Sequence, residues 1–443
     1  MDTPICDFVR RYAQSGALRC HMPGHKGQAL LGMEGLDITE IAGADSLYEA
    51  DGIIARSEEN AGSLFGAKTF YSAEGSSLCI RAMLHLAALH ARQAGKAPLI
   101  AAARNVHKVF LSAAALLGLE TQWLCPGEQE SYLSCRIEPE ELEALLRQKP
   151  VTAVYVTSPD YLGGMQDIGS LAKVCHRYGC LLLVDNAHGA YLKFLPRSLH
   201  PMDLGADLCC DSAHKTLPAL TGAAYLHISP AVSPQLAQQA KNAMALFGST
   251  SPSYLILQSL DAVNAYLADG YADALAAFAQ KTEQLKGSLA LHGYSLRGQE
   301  PLKLTVAAKP YGYTGTALAA LLEARGIVYE FCDPDHLVLM LTPQLGEEGL
   351  ERLETALKTI PARPPIEEKP PVFRRCAQVL SVREAVLSPC ETVPASRAVG
   401  RVLAAPSVGC PPAVPILVCG ERIDEATVDA FAYYGIKTCS VVK

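Results

Sequence analysis

The chain has 443 residues, enough for two or three domains. Hydrophobic residues make up 49% and charged residues 19%, a composition that supports a large core and excludes a disordered chain. A net charge of -7 disfavours general nucleic-acid binding and gives only a mild long-range bias toward cations. The 15 cysteines are odd in number and include no Cys-x-x-Cys pair. They fit neither a disulfide framework nor a metal site, so a reducing cytoplasm is the simplest expectation. The start, Met1-Asp2-Thr3-Pro4-Ile5-Cys6, does not read as a signal peptide. No apolar run is long enough to span a bilayer, so no membrane partner is expected.

Residues 1–65 read as an arm followed by irregular structure. Within them, His21-Met22-Pro23-Gly24-His25-Lys26-Gly27 combines two His, one Lys, one Pro and two Gly. Such a segment is either a loop with special backbone angles that presents polar groups or a plain solvated turn. Tyr71-Ser72-Ala73-Glu74-Gly75-Ser76-Ser77 then runs into a strong helix pattern from Leu78 to Leu89. Gly75, Ser76 and Ser77 at its head offer backbone N–H groups and hydroxyls to one spot, which suits a phosphate. The competing reading is an ordinary serine N-cap.

From Pro98 the pattern alternates. Strands are expected at 98–102, 151–157 and 180–184, with helices through Ala113–Leu117 and near Ile168–Tyr178. Continuously apolar strands that alternate with helices predict an α/β fold with a mostly parallel sheet covered on both faces. In such sheets ligands sit beyond the carboxyl ends of the strands. Gly75, Ser76, His107, Ser158, Asp185 and Lys215 all fall at or near expected element ends. Residues near 231–290 read as helical. A smaller α/β unit follows, with strands at 302–306, 328–331 and 337–341 and helices at 314–325 and 347–358. The proline-rich stretch 361–371 reads as a semi-rigid linker to an appended unit at 372–443. The expected domains are thus 1–65, 66–290, 291–360 and 372–443.

Asp211-Ser212-Ala213-His214-Lys215-Thr216-Leu217-Pro218 lies between two apolar runs, 207–210 and 222–228. An ammonium ion between buried strands is costly unless paired or neutralised. One way to neutralise it is an imine with a carbonyl cofactor, most commonly pyridoxal 5′-phosphate (PLP). The alternative is a surface-loop lysine. PLP chemistry also needs an acid at the ring nitrogen, an aromatic on one ring face and a phosphate cup. Asp185 ends the most apolar strand and suits the first role, or else is a helix N-cap. His107 suits ring stacking, or else is a hydrogen-bonded core histidine. Gly75, Ser76, Ser77, Ser212 and His214 suit the phosphate.

These residues together resemble the Orn/Lys/Arg decarboxylase family, over nearly the whole chain. The segment His21–Gly27 resembles the family's Pro-Gly-His segment, and Gly75-Ser76-Ser77 its phosphate loop. Arg104-Asn105-Val106-His107-Lys108 resembles an Arg-Asn-x-His-Lys segment whose His stacks on the pyridine ring. Asp185-Asn186-Ala187-His188-Gly189-Ala190 resembles Asp-Glu-Ala-His-Gly-Ala, whose Asp pairs with the ring nitrogen. Ser212-Ala213-His214-Lys215-Thr216-Leu217-Pro218 resembles the PLP-lysine signature. Cys410-Pro411-Pro412-Ala413-Val414-Pro415 and Gly420-Glu421-Arg422-Ile423 resemble two C-terminal motifs, the second carrying a Glu near the distal end of a basic substrate.

The resemblance implies the PLP fold type I architecture, a large domain with a smaller α/β domain and a small C-terminal domain. It implies PLP held by Gly75, Ser76, Ser77, His107, Ser158, Asp185, His188, Ser212, His214 and Lys215. Lys215, Asp185, His107 and His188 would serve catalysis, and Glu421 and His25 would contact the substrate. It implies decarboxylation of a basic amino acid, with arginine ahead of lysine and ornithine, and a homodimer or higher homo-oligomer. The missing N-terminal wing points to the compact Gram-positive type. Three departures stand out: Cys410 for an aromatic, Cys419 for a proline and Asn186 for a Glu. Two rivals stay open. One is an aminotransferase or another lyase on the same fold. The other is a non-catalytic relative that binds PLP or a basic ligand.

Overall fold

The computed structural model describes residues 1–127, 131–405 and 414–443. Its first seven strands are β1 (Lys68–Ser72), β2 (Leu99–Ala103), β3 (Glu120–Leu124), β4 (Ala153–Thr157), β5 (Leu181–Asp185), β6 (Leu208–Asp211) and β7 (Ala224–Ile228). The rest are β8 (Ser295–Arg297), β9 (Lys303–Ala307), β10 (Phe331–Cys332), β11 (His336–Met340), β12 (Cys390–Pro394) and β13 (Thr438–Val442). The chain divides into two compact units, Met1–Lys96 with Ile168–Leu275, and Ala97–Asp167 with Ala276–Lys443.

In the first unit the strands lie in the order β5-β6-β7-β1. The β5–β6 pair is parallel, while β7 runs antiparallel to both β6 and β1. Every residue of β5, β6 and β7 is buried, as continuously apolar strands require. The helix Gly75–Gln93 packs against β6 and β7. Helices Pro4–Gln14, Ile53–Phe65 and Tyr254–Ala268 pack on one another. A buried carboxylate joins them: Asp261 accepts the Cys6 backbone N–H at 2.9 Å and the Ser57 hydroxyl at 2.5 Å.

In the second unit β3-β2-β4 are all parallel. A second sheet, β10-β11-β9-β8, is antiparallel and accompanied by helices Gly315–Glu323 and Gly346–Lys358. The C-terminal part pairs β12 with β13 and places the helix Glu425–Tyr433 over a core of Leu403, Ile416, Ile423, Phe431 and Val441. The proline-rich stretch is docked along the smaller sheet unit. Arg363 N–H donates to Tyr311 O at 3.2 Å, and Ile366 N–H donates to Lys309 O at 3.0 Å. Buried Lys309 donates to Tyr433 Oη at 2.6 Å and lies 3.0 Å from Asp335 Oδ1.

The sequence reading placed most elements within a few residues. It missed the short strands β8, β12 and β13 and the helices Pro4–Gln14 and Ile53–Phe65 within the segment read as an arm and irregular structure. It also missed β1 and β3, whose mixed sequences Lys-Thr-Phe-Tyr-Ser and Glu-Thr-Gln-Trp-Leu lack a clean apolar run. The strand expected at 328–331 shrinks to Phe331–Cys332, because Val328 stands in solvent at 83% exposure. The strand expected at 207–210 shifts by one, so that Asp211 is its last, fully buried residue.

Candidate active site

Lys215 lies in the helical turn Ala213–Thr216, directly after β6. Its N–H donates to Ser212 O at 3.0 Å, which fixes the turn. Nζ of Lys215 lies 3.0 Å from Nε2 of His188, which is buried on the loop after β5. Asp185 ends β5, is 3% exposed, and accepts the Ala187 N–H at 3.2 Å and the Cys210 S–H at 3.6 Å. Burial, and next the Asp185 charge, push the Cys210 thiol well up, so it stays a neutral donor to that carboxylate. The ends of two neighbouring parallel strands thus carry the lysine and the carboxylate.

The residues expected to hold a phosphate also gather within this unit. Gly75 opens the helix Gly75–Gln93 with φ +67°, an angle that favours glycine, and its N–H donates to Gly222 O at 2.7 Å. Ser76 and Ser77 follow in the first turn, where backbone N–H groups lack intrahelical acceptors. Ser212 Oγ donates to Ser76 Oγ at 2.9 Å, joining the Lys215 turn to this helix start. His214 uses Nδ1–H to bond Ala223 O at 2.8 Å, and its Cε1 would lie 3.9 Å from a Cβ placed on Gly75. Lysine, buried carboxylate, and a helix start with two serine hydroxyls and a histidine form the donor set PLP requires.

Comparison with known proteins gives the family and the fold. The model of the family described as "Orn/Lys/Arg decarboxylase, major domain" matches residues 3–290. The chain belongs to the Orn/Lys/Arg decarboxylase family. It is 29% identical to the Bacillus subtilis protein named "Uncharacterized protein YaaO", over 97% of this chain and 93% of that one. It is also 29% identical to the arginine decarboxylase of Halalkalibacterium halodurans, over 96% of this chain and 92% of that one. Lysine decarboxylase A of Pseudomonas aeruginosa superposes on 99% of this chain and 80% of that one, with a TM-score of 0.80 at 17% identity. The architecture is therefore α/β of PLP fold type I, and the chain is a decarboxylase of this PLP-dependent family.

The other residues expected of an Orn/Lys/Arg decarboxylase are placed as follows. In the first unit, His25 accepts the Gly27 N–H through Nδ1 at 3.0 Å and faces Asp37 Oδ2 through Nε2 at 3.3 Å. In the second unit, His107 caps the helix Lys108–Leu117, with Nδ1 accepting the Val109 N–H at 3.2 Å. Ser158 is buried, and its Oγ accepts the Gln166 N–H at 3.1 Å. Glu421 is buried and engaged by its own chain. Arg104 Nη2 donates to its Oε2 at 3.1 Å and Val418 N–H donates to the same oxygen at 2.8 Å. The helix after Glu421 is capped by Asp424, whose Oδ1 accepts the Thr427 N–H at 2.7 Å. Cys419 is buried; burial pushes its thiol up to about 12. Cys410 and its neighbours Pro411, Pro412 and Ala413 lie outside the described residues.

Sequence reasoning did not single out His200, Asp211 or His227, which form a buried cluster in the first unit. The available signal was a charged residue at the end of an apolar strand, Asp207-Leu208-Cys209-Cys210-Asp211. It was masked because Asp211 was read only as the first residue of the lysine stretch Asp211–Pro218.

Proposed function

We propose that this chain decarboxylates a basic amino acid at PLP held by Lys215, Asp185, His188, Gly75, Ser76, Ser77, Ser212 and His214, with arginine ahead of lysine and ornithine. The observation that carries this is the 3.0 Å approach of Lys215 Nζ to His188 Nε2, on the loop that follows the buried Asp185, in a chain of this family. Arginine comes first because curated relatives that cover nearly the whole chain are named arginine decarboxylase.

When bound, PLP supplies a conjugated ring that takes up the electron pair released as carbon dioxide departs. Lys215 would offer the amine that holds the cofactor. Asp185, buried at the end of β5, would hold a proton at the ring nitrogen by charge. His188 sits against Lys215 Nζ and holds or accepts its proton. Lys215 or His188 would supply the proton that the substrate Cα takes up. Ser76, Ser77, Ser212 and His214 orient the phosphate at the helix start. His107 on the ring face, Ser158 beside the cofactor and His25 near the substrate are roles drawn from the family resemblance.

We also infer a cytoplasmic homodimer or higher homo-oligomer. The segment Leu18–Leu36 exposes Leu18, Leu30 and Leu31 at more than 80%, with Met22 and Met33 beside them, an apolar surface suited to a second copy. The cysteines among the described residues form no disulfide, as a reducing compartment favours. No helix among the described residues is long and apolar enough to cross a membrane. The test is a panel of arginine, lysine and ornithine with purified protein and PLP, scored for carbon dioxide and amine. Keto-acid formation without carbon dioxide would make the protein an aminotransferase. No turnover with any of the three would make it a binding relative.

A further inference from the structure

The loops that carry Asp185 and Lys215 are joined beneath the site by a hydrogen bond that none of the motifs contains. Asn186, the residue after Asp185, donates from Nδ2 to Asp211 Oδ1 at 2.7 Å. Asp211 ends β6, one turn ahead of Lys215. Both side chains are fully buried. The amide can point only one way, because an ionised carboxylate accepts and does not donate. Backbone bonds hold the same junction: Asn186 N–H donates to Cys210 O at 3.0 Å, and Gly189 N–H donates to Asn186 O at 2.8 Å. A Cβ on Gly189 would lie 2.0 Å from Asn186 Oδ1, so the absence of a side chain there admits the amide.

The rest of the pocket around Asp211 supplies donors. His200 accepts the Met202 N–H through Nδ1 at 3.3 Å, so its proton lies on Nε2, which donates to Asp211 Oδ2 at 2.9 Å. His227 faces Thr69 Oγ1 through Nδ1 at 2.9 Å and donates from Nε2 to the same oxygen at 3.1 Å. Phe65 packs on both imidazoles, with ring centroids 5.5 and 4.5 Å away. Burial works against a charge on Asp211, but the two histidines outweigh it and hold the carboxyl well below its usual range. Burial also lowers the proton affinity of His227, which keeps that ring neutral. Cys209 Sγ lies 3.7 Å from Oδ1, and burial pushes its thiol well up, as it does those of Cys79 and Cys210 and the Tyr225 phenol. One negative charge therefore fits in this pocket. A second, on residue 186, would face it directly.

We propose that Asn186 and Asp211 are a matched amide–carboxylate couple that positions the Asp185–His188 loop against the Lys215 turn, and that the couple accepts its charge on either side but not on both. The motif that this loop resembles carries Glu where this chain has Asn186. This rests on the proposed cofactor site only for its consequence; the couple itself is tested without activity.

The experiment compares full-length wild type, N186D, D211N and N186D/D211N by thermal midpoint from pH 5 to 8 and by PLP retention after dialysis. In N186D the two carboxyls must share a proton, so the folded-state pKa of the pair is raised. Stability is then present at low pH and lost as pH rises through that value. In D211N two amide groups face each other where an amide faced a carboxylate, so the loss is independent of pH. In N186D/D211N the new carboxylate accepts from the new amide, whose oxygen still accepts from the histidines. The double variant should therefore recover a flat, near-wild-type profile. PLP retention should fall roughly tenfold in N186D at pH 8 and return in the double variant. A pH-flat, wild-type N186D overturns the proposal, as does a double variant no better than the worse single one. If N186D is insoluble, a soluble double variant supports the couple and an insoluble one overturns it. If wild type itself fails to bind PLP, the proposed function fails while the melting curves still decide the couple.

Discussion

Nζ of Lys215 and Nε2 of His188 approach to 3.0 Å from two loops that leave the ends of neighbouring parallel strands, β6 and β5. This contact brings the amine and a proton-carrying imidazole within transfer distance. Lys215→Ala should abolish turnover and remove the visible absorbance of lysine-bound cofactor. Borohydride reduction followed by peptide mass mapping should label Lys215 in the wild type and no lysine in the variant. A reduced PLP adduct on another lysine would move the anchor elsewhere.

Asp185 is the carboxylate expected to hold the ring nitrogen protonated. Asp185→Asn keeps the shape, the Ala187 N–H bond and the phosphate contacts, but removes the charge. PLP should still be retained, while kcat falls by at least about 100-fold, as losing one preorganised electrostatic contact commonly does. A variant with near-normal kcat would place a different residue at the ring nitrogen.

The positions of Lys215 and Asp185 were legible in the sequence because each lies at the end of a continuous apolar run, where a charge stands out. The helix start at Gly75 was legible because a clear apolar period begins right after it. The Asn186–Asp211 couple was not, since it joins residues from two strands through one hydrogen bond and leaves no periodic trace. Strands β1 and β3 were obscured for a related reason: their residues pair through the backbone while their side chains are mixed. The engagement of Glu421 by Arg104 joins residues hundreds of positions apart. A motif read alone shows the carboxylate and not the guanidinium that fills it.

His107 has an observed structural role that must be separated from its proposed contact with the ring. Its Nδ1 caps the helix Lys108–Leu117, and losing such a cap costs about 1 kcal/mol. His107→Ala removes both cap and ring, whereas His107→Asn restores a cap but no aromatic face. A ring-face role predicts that His107→Asn keeps the wild-type thermal midpoint yet releases PLP faster and turns over more slowly. Full PLP retention and rate in His107→Asn would leave His107 as a cap alone.

Glu421 is the residue on which sequence and structure press hardest against each other. The family resemblance gives it a basic substrate to hold, but its Oε2 already receives Arg104 and the Val418 N–H. Arg104 in turn donates to Pro415 O at 3.0 Å and Ile416 O at 3.1 Å, and its guanidinium lies 5.6 Å from the Phe373 ring and 5.7 Å from that of Trp123. Arg104 begins the segment that ends in His107, so this buried pair ties the C-terminal part to the end of β2. Removing one member of a buried pair leaves the other charge unmatched, at about 3–5 kcal/mol. Glu421→Ala and Arg104→Ala should therefore each lower the thermal midpoint strongly, and the double variant should lose less than the sum. Glu421→Gln still accepts both N–H donors and should lose less than Glu421→Ala. If Glu421 acts through Arg104, KM for the basic amino acid in Glu421→Gln stays within about twofold of wild type at 25 °C. The opposite pattern, an unchanged midpoint with KM raised by the roughly 2–5 kcal/mol of a lost charge-assisted contact, would return Glu421 to the substrate.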